Sequence, residues 1–280
     1  MVVGMVTLPR SPRWLVDKGL DIEARHMLMR LRGNDQKRVD GELAAIQENA
    51  NLSEAGWQLF KRNRNFRRST GLGMTLQFMQ QFTGANVILY YAPHILDLAG
   101  YGSAREQLWG TVLIGVFMTL ATFIAIAFVD KLGRKPLLYT GFTAMGSCMV
   151  LLGVLYEYGL QSAWAQYTAI GLLAAFVISY AMSAAPMVWV LCSEIQPLKG
   201  RDFGVTASTV TNWVPNMIIG ATFLTLLNTL GNAGTFWLYA VLNFAFILVT
   251  LALVPETKGI TLENIERNLM KGKPLREIGY

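Results

Sequence analysis

The sequence predicts an all-α membrane protein with six transmembrane helices and a cytosolic helical linker. Three observations predict it. Hydrophobic residues make up 53% of the 280 and charged ones only 15%, against about 25% charged in soluble domains; the mean hydropathy is +0.37. Six apolar runs each reach the roughly 20 residues that cross a bilayer as a helix. The basic residues lie outside those runs and almost all to one side of them.

Residues 1–8 read as the remnant of a preceding transmembrane helix, because Met1 to Leu8 is apolar but too short to span. Residues 9–69 read as the linker. Two polar helices are expected there, Pro12 to Arg32 and Arg38 to Asn49, separated by Gly33-Asn34-Asp35. Leu20, Ala24, Met27, Leu28 and Leu31 give the first an apolar stripe at helical spacing, with charges between them. The run Lys61-Arg62-Asn63-Arg64-Asn65-Phe66-Arg67-Arg68 closes the linker just before a span, where it orients the chain and meets anionic headgroups.

Residues 70–254 form the six-helix bundle. The spans are expected at Thr70–Ala92, Leu108–Val129, Pro136–Leu155, Gln166–Leu191, Gly204–Leu227 and Thr235–Val254. Pro186 and Pro215 fall inside spans, where neighbouring helices tolerate a kink. Residues 255–280 form a cytosolic tail.

Charge gives the orientation. Of 24 Lys and Arg residues, all but Arg105 fall before the first span, in Asp130–Lys135, in Cys192–Phe203 or in the tail. The positive-inside rule places that side, with both termini, in the cytoplasm. The net charge of +6 therefore signals topology rather than nucleic acid. Cys148 and Cys192 sit in or beside apolar runs, and His26 and His94 make no catalytic or metal set. No cofactor or metal is expected. A membrane enzyme would need a nucleophile–base pair or metal ligands within a span, and the sequence offers none.

The most informative stretch is Gln80-Gln81-Phe82-Thr83-Gly84-Ala85-Asn86-Val87-Ile88-Leu89-Tyr90-Tyr91. Amides and phenols are expensive in hydrocarbon and face a protein interior or a wet cavity. They are uncharged, and they both donate and accept hydrogen bonds. Such groups suit a neutral, hydroxyl-rich solute, so this helix is expected to line a sugar path. At about 100° per residue, Gln77, Gln80, Gln81 and Gly84 share a face, while Asn86 points about 140° away from Gln81. A bend near Thr83-Gly84 would bring Asn86 back, and interrupted helices mark many transporter sites. The competing reading is that these amides only bond neighbouring helices.

Four charged motifs fall at the cytoplasmic ends: Asp130-Lys131-Leu132-Gly133-Arg134-Lys135, Glu194 through Arg201, Pro255-Glu256-Thr257-Lys258-Gly259, and Ser11-Pro12-Arg13. Exposed ion pairs are each worth only about 0–1 kcal/mol, but a network of them biases a two-state gate. Topology determinants and helix caps are the plainer reading.

Taken together, these motifs, with Tyr90-Tyr91, Pro186, Trp189 and the tail block Glu263 to Met270, give a chain that resembles the sugar porter family of the major facilitator superfamily. Within it the likeness is to the bacterial galactose–proton and arabinose–proton symporters. The resemblance implies a twelve-span protein of two six-helix halves, of which this chain is the linker and the C-terminal half. It implies sugar-binding positions at Gln80, Gln81, Asn86 and Tyr90, an indole beside the sugar at Trp189, and a polar position at Asn212. It also implies a cytoplasmic gate network of Arg13, Asp130, Arg134, Glu194, Arg201 and Glu256 that holds the outward-facing state.

The implied partners are a monosaccharide of galactose or arabinose type, a coupling proton, the lipid bilayer of the cell inner membrane and an N-terminal six-helix half. The family's proton site is a carboxylate on the first span of that other half. The carboxylates near these spans, Asp97, Glu106, Asp130, Glu157, Glu194 and Asp202, lie at ends or in connectors, so this chain alone is not expected to couple protons to sugar. Met118 stands where many relatives carry an asparagine, Arg10 where an acidic or neutral polar residue is usual, and Pro215 where a small residue is usual. A membrane sugar-binding or sensor protein without transport is the other reading of the same amides.

Overall fold

The computed structural model describes residues 10–33, 35–51, 56–159 and 162–279. The expected remnant helix at 1–8 lies outside them. Every regular element among the described residues is helical, and the chain divides into two compact units, Met1–Leu59 and Phe60–Tyr280.

In the first unit, α1 (Pro12–Asp17), α2 (Asp21–Leu31) and α3 (Gln36–Asn51) surround a small core of Leu15, Val16 and Ala24, against which Met27, Leu43 and Ile46 pack. The single helix expected from Pro12 to Arg32 is two helices. Gly19 is left-handed at φ 73 and stops the first, the usual role of glycine just past a helix end. Ion pairs tie α2 to α3: Arg25 to Asp40 at 2.8 Å and Arg32 to Glu42 at 2.9 Å.

A short helix, α4 (Gly56–Arg62), leads to the second unit. There Asn63 caps α5 (Arg64–Phe82), its Oδ1 accepting from the amides of Asn65 at 2.9 Å and Phe66 at 3.1 Å. The chain breaks at Gly84, left-handed at φ 90, and resumes as α6 (Ala85–Leu98). Tyr91 is bent out of helical geometry two residues before Pro93, whose ring cannot sit against an unbent preceding turn. Next come α7 (Ala104–Leu132), α8 (Arg134–Tyr158) and α9 (Ala163–Met182). Ser103 and Ser162 cap α7 and α9 at their starts.

A second break at Ser183 (φ −126, ψ −90) separates α9 from α10 (Ala184–Glu194). The last long run, α11 (Arg201–Leu253), contains one non-helical residue, Gly231, at φ 73 and ψ 173. The stretch Asn228–Gly234, expected as a connector, is thus helical apart from that glycine. The sharp break is there and not at Pro215. A short helix, α12 (Leu262–Met270), and a single 3₁₀ turn at Leu275–Glu277 complete the unit.

Among the described residues, four helical runs are long and apolar enough to cross a membrane: Ala104–Val129, Arg134–Tyr158, Ala163–Glu194 and Arg201–Leu253. The first expected span is distributed over α5 and α6, and the last two merge in α11. Glycines let the helices close up, as small residues do where lipid supplies no hydrophobic drive. A Cβ on Gly146 would meet the Phe244 ring at 3.0 Å, and one on Gly153 the Trp237 indole at 2.3 Å. Tyr156 stacks on Phe236 at 5.0 Å and Phe142 meets Phe246 at 5.7 Å, so α8 packs closely on the final stretch of α11. Against this frame α5 packs on α10 and on the first part of α11.

Candidate functional site

Both helix breaks meet at one cluster of amides. Gln80 Nε2 donates to the carbonyls of Ala184 at 3.0 Å and Ala185 at 3.1 Å, at the start of α10. Its Oε1 accepts from Asn212 Nδ2 at 2.8 Å, and Asn212 donates as well to Gln77 Oε1. Both hydrogens of Gln80 and both of Asn212 are therefore committed to the protein. The break at Gly84 brings Asn86 back toward α5. Asn86 Nδ2 donates to Gln81 Oε1 and, at 3.0 Å, to Asn216 Oδ1. Asn216 Nδ2 donates in turn to the Tyr90 hydroxyl at 3.1 Å.

These bonds leave a mixed set of polar groups without a partner among the described residues: the buried Gln77 Nε2, Gln81 Nε2 and the Tyr90 O–H as donors, Asn86 Oδ1 and Asn212 Oδ1 as acceptors. Gln81 and Asn212 are 4% exposed, while Tyr90 is 56% and Trp189 42% exposed. The cluster therefore runs from a buried amide floor to the exposed Tyr90, while Trp189 is a second exposed aromatic, on α10. Donors and acceptors side by side can address the hydroxyls of a neutral ligand, and an exposed indole offers an apolar face with one N–H.

All six residues expected to contact the ligand are described. Gln80, Gln81, Asn86, Tyr90 and Asn212 fall within two adjoining hydrogen-bonded groups, and Trp189 stands on α10, one turn beyond the Ala184–Ala185 carbonyls that Gln80 grips. Gln80 departs most from the expectation, because its donors hold main chain. Sequence reasoning missed Asn216, which links Asn86 to Tyr90. The signal was its spacing from Asn212, since residues four apart on a helix share a face.

The second constellation joins three segments. Arg134, at the start of α8, pairs with Glu194 at the end of α10, Nη2 to Oε1 at 2.9 Å and Nε to Oε2 at 3.4 Å. Both side chains are mostly buried, 11% and 19% exposed. Glu194 Oε2 also accepts from Thr257 Oγ1 at 2.6 Å. Glu256 acts differently from the ion-pair partner expected. Its carboxylate accepts the amides of Arg134 and Lys135 at 3.0 Å each and that of Lys258 at 3.0 Å. It caps α8 from outside, where unpaired N–H groups and the helix dipole favour an anion. Gly133 makes room, since a Cβ there would meet Glu256 Oε2 at 2.8 Å. Arg201 donates from Nη2 to the Gln196 carbonyl at 3.2 Å. The side chains of Arg13 and Asp130 lie outside the described residues. No group of three or more His, Cys, Asp or Glu side chains that could hold a metal occurs among the described residues.

Comparison with known proteins decides the family. The family model "Sugar (and other) transporter" matches residues 1–269. The chain belongs to that sugar transporter family. It is 58% identical over 279 residues to the galactose-proton symporter of Escherichia coli and 52% identical over 282 residues to its arabinose-proton symporter, with the whole of this chain and 60% of each relative covered. Among solved structures, the proton:xylose symporter XylE, of the major facilitator superfamily, bound to 6-bromo-6-deoxy-D-glucose, is similar at a TM-score of 0.74 and 28% identity, covering 99% of this chain and 55% of that one. The chain thus spans about three fifths of the length of the curated relatives it matches. These relatives are transporters by name, and their matched part corresponds to a C-terminal half.

Proposed function

We propose that the chain forms the C-terminal half of a proton-coupled monosaccharide symporter, for a sugar of galactose or arabinose type. The observation that carries this is the row of unpartnered donors and acceptors on Gln81, Asn86, Tyr90 and Asn212 beside the exposed Trp189. Gln80 belongs to the same site as the anchor of its floor. Six spans are α5–α6, α7, α8, α9–α10 and the two parts of α11, 201–230 and 232–253. The length of α11 supports the last division: 53 residues extend about 80 Å as a straight helix, far beyond a hydrocarbon core of about 30 Å, which fits two spans divided at Gly231.

Residues 9–69 are the cytosolic linker and 255–280 the cytosolic tail, with both termini in the cytoplasm of an inner-membrane protein. The meeting of Arg134, Glu194, Glu256 and Thr257 supports this sidedness, since it gathers three separate basic segments at one end. That constellation, with Arg13, Asp130 and Arg201, is the gate that holds the outward-facing state. Sugar flux and proton coupling need the other half, which supplies the second cavity wall and the coupling carboxylate.

The test is uptake of labelled galactose and arabinose by transport-deficient cells. They carry this chain alone, or this chain joined to the uncovered N-terminal part of the galactose-proton symporter. Protonophore-sensitive uptake by the joined protein, with a raised KM on Asn86→Ala and insertion intact, is the expected result. Uptake by the isolated chain, or none by a well-inserted joined protein, overturns the proposal.

A further inference from the structure

The break that aims Asn86 is gripped from the last helical stretch, 232–253. Asn243 on that stretch is fully buried. Its Nδ2 donates to the Thr83 carbonyl at 3.0 Å and to the Tyr239 carbonyl at 2.8 Å. In an unbroken helix the Thr83 carbonyl would accept from the amide of Val87. After the left-handed Gly84, the first bond of α6 instead runs from Ile88 N to Gly84 O at 3.1 Å, and Asn243 takes up the carbonyl left over. Tyr239, one turn earlier, closes the other side: a Cβ on Gly84 would meet its ring at 3.0 Å.

Asn243 Oδ1 is buried with no partner among the described residues, which costs stability, but an apolar side chain would orphan the Thr83 carbonyl instead. What the amide adds is a donor aimed at a carbonyl that the break sets free.

We propose that Asn243 is a positioning residue, which fixes the Thr83–Gly84 break and thereby the direction in which Asn86 points. Its consequence for sugar affinity rests on the reading of Asn86 as a sugar contact.

The test is hydrogen exchange, followed by mass spectrometry, on the full chain in lipid nanodiscs, comparing residues 83–92 with residues 134–158. Asn243→Leu removes a polar group from apolar surroundings, so insertion is preserved. Thr250→Val removes a buried hydroxyl further along the same stretch and is the control. Asn243→Leu is expected to speed exchange at 83–92 by about two- to tenfold, the range for one lost hydrogen bond, and to leave 134–158 unchanged. Thr250→Val is expected to change neither. Unaltered exchange at 83–92, or equal acceleration in both segments, overturns the positioning role. In the joined transporter the same variant raises KM while kcat stays within about twofold. Local acceleration without any change in KM upholds the positioning role and counts instead against Asn86 as a sugar contact.

Discussion

Asn86 donates to the side-chain carbonyl of Gln81, five residues earlier, across a left-handed turn at Gly84. On a continuous helix the two side chains would point about 140° apart. The turn is what makes them one site. A residue with a Cβ in this conformation costs about 1–2 kcal/mol, and at Gly84 the added carbon would also press on Tyr239 at 3.0 Å and Met149 at 3.1 Å. Gly84→Ala is therefore expected to raise the KM for sugar in the joined transporter more than Asn86→Ala does, and to lower Tm. Uptake kinetics and thermal unfolding in detergent check both. A wild-type KM would mean that Asn86 is aimed by something other than this turn.

Gln80 and Gln81 are neighbours with different expected losses. Gln80 holds two main-chain carbonyls and Asn212, so Gln80→Ala leaves several buried groups unpaired, at about 1–3 kcal/mol for each group. A clear fall in Tm is the expected outcome. Among the described residues Gln81 accepts only from Asn86, and its Nε2 has no partner. Gln81→Ala is expected to weaken sugar affinity about tenfold with little change in Tm. Paired measurements of Tm and sugar binding on the two variants separate anchoring from recognition, and identical behaviour of the two would contradict the division.

The sequence made the amide cluster legible because polar groups inside an apolar run stand out. Gln80, Gln81, Asn86 and Asn212 could be picked without coordinates. Their division of labour could not, because whether an amide faces a ligand or a carbonyl depends on the second break at Ser183; Pro186 signals a kink nearby but not which residue leaves the helix. The six apolar runs were equally plain. The connectors were not: Asn228–Gly234 has loop composition, yet only Gly231 leaves helical geometry. Glu256 was recognisable as part of a charged group. Its role as a cap for α8 depends on where the tail lies, and one chain of side chains does not reveal that.

The Arg134–Glu194 pair is expected to couple by about 1–3 kcal/mol, as charge-assisted hydrogen bonds do, rather than the 0–1 kcal/mol or so of an exposed pair, because both side chains are mostly buried. A double-mutant cycle of Arg134→Ala and Glu194→Ala measures it, read on the conformational equilibrium of the joined transporter by distances between spin labels at the cytoplasmic helix ends. Each single variant is expected to shift the population toward the inward-open state, and the double variant to shift it little further. Two additive shifts would show that the pair does not act as one latch.

Gly141 makes room for the other helix break. A Cβ at Gly141 would lie 1.9 Å from Ser183 Oγ and 2.2 Å from Ser183 Cβ, so Gly141→Ala must push Ser183 away. Ser183 directly precedes the Ala184 and Ala185 carbonyls that bind Gln80. The displacement therefore reaches the amide floor through the backbone, with no contact between Gly141 and Gln80 required. Gly141→Ala is expected to lower Tm and weaken sugar binding together. Ser183→Gly removes the atoms that clash, and its φ of −126 is open to any residue. The double variant Gly141→Ala with Ser183→Gly should then recover most of both losses. Recovery of Tm without recovery of binding would place the sugar's dependence on Ser183 itself rather than on the carbonyls behind it.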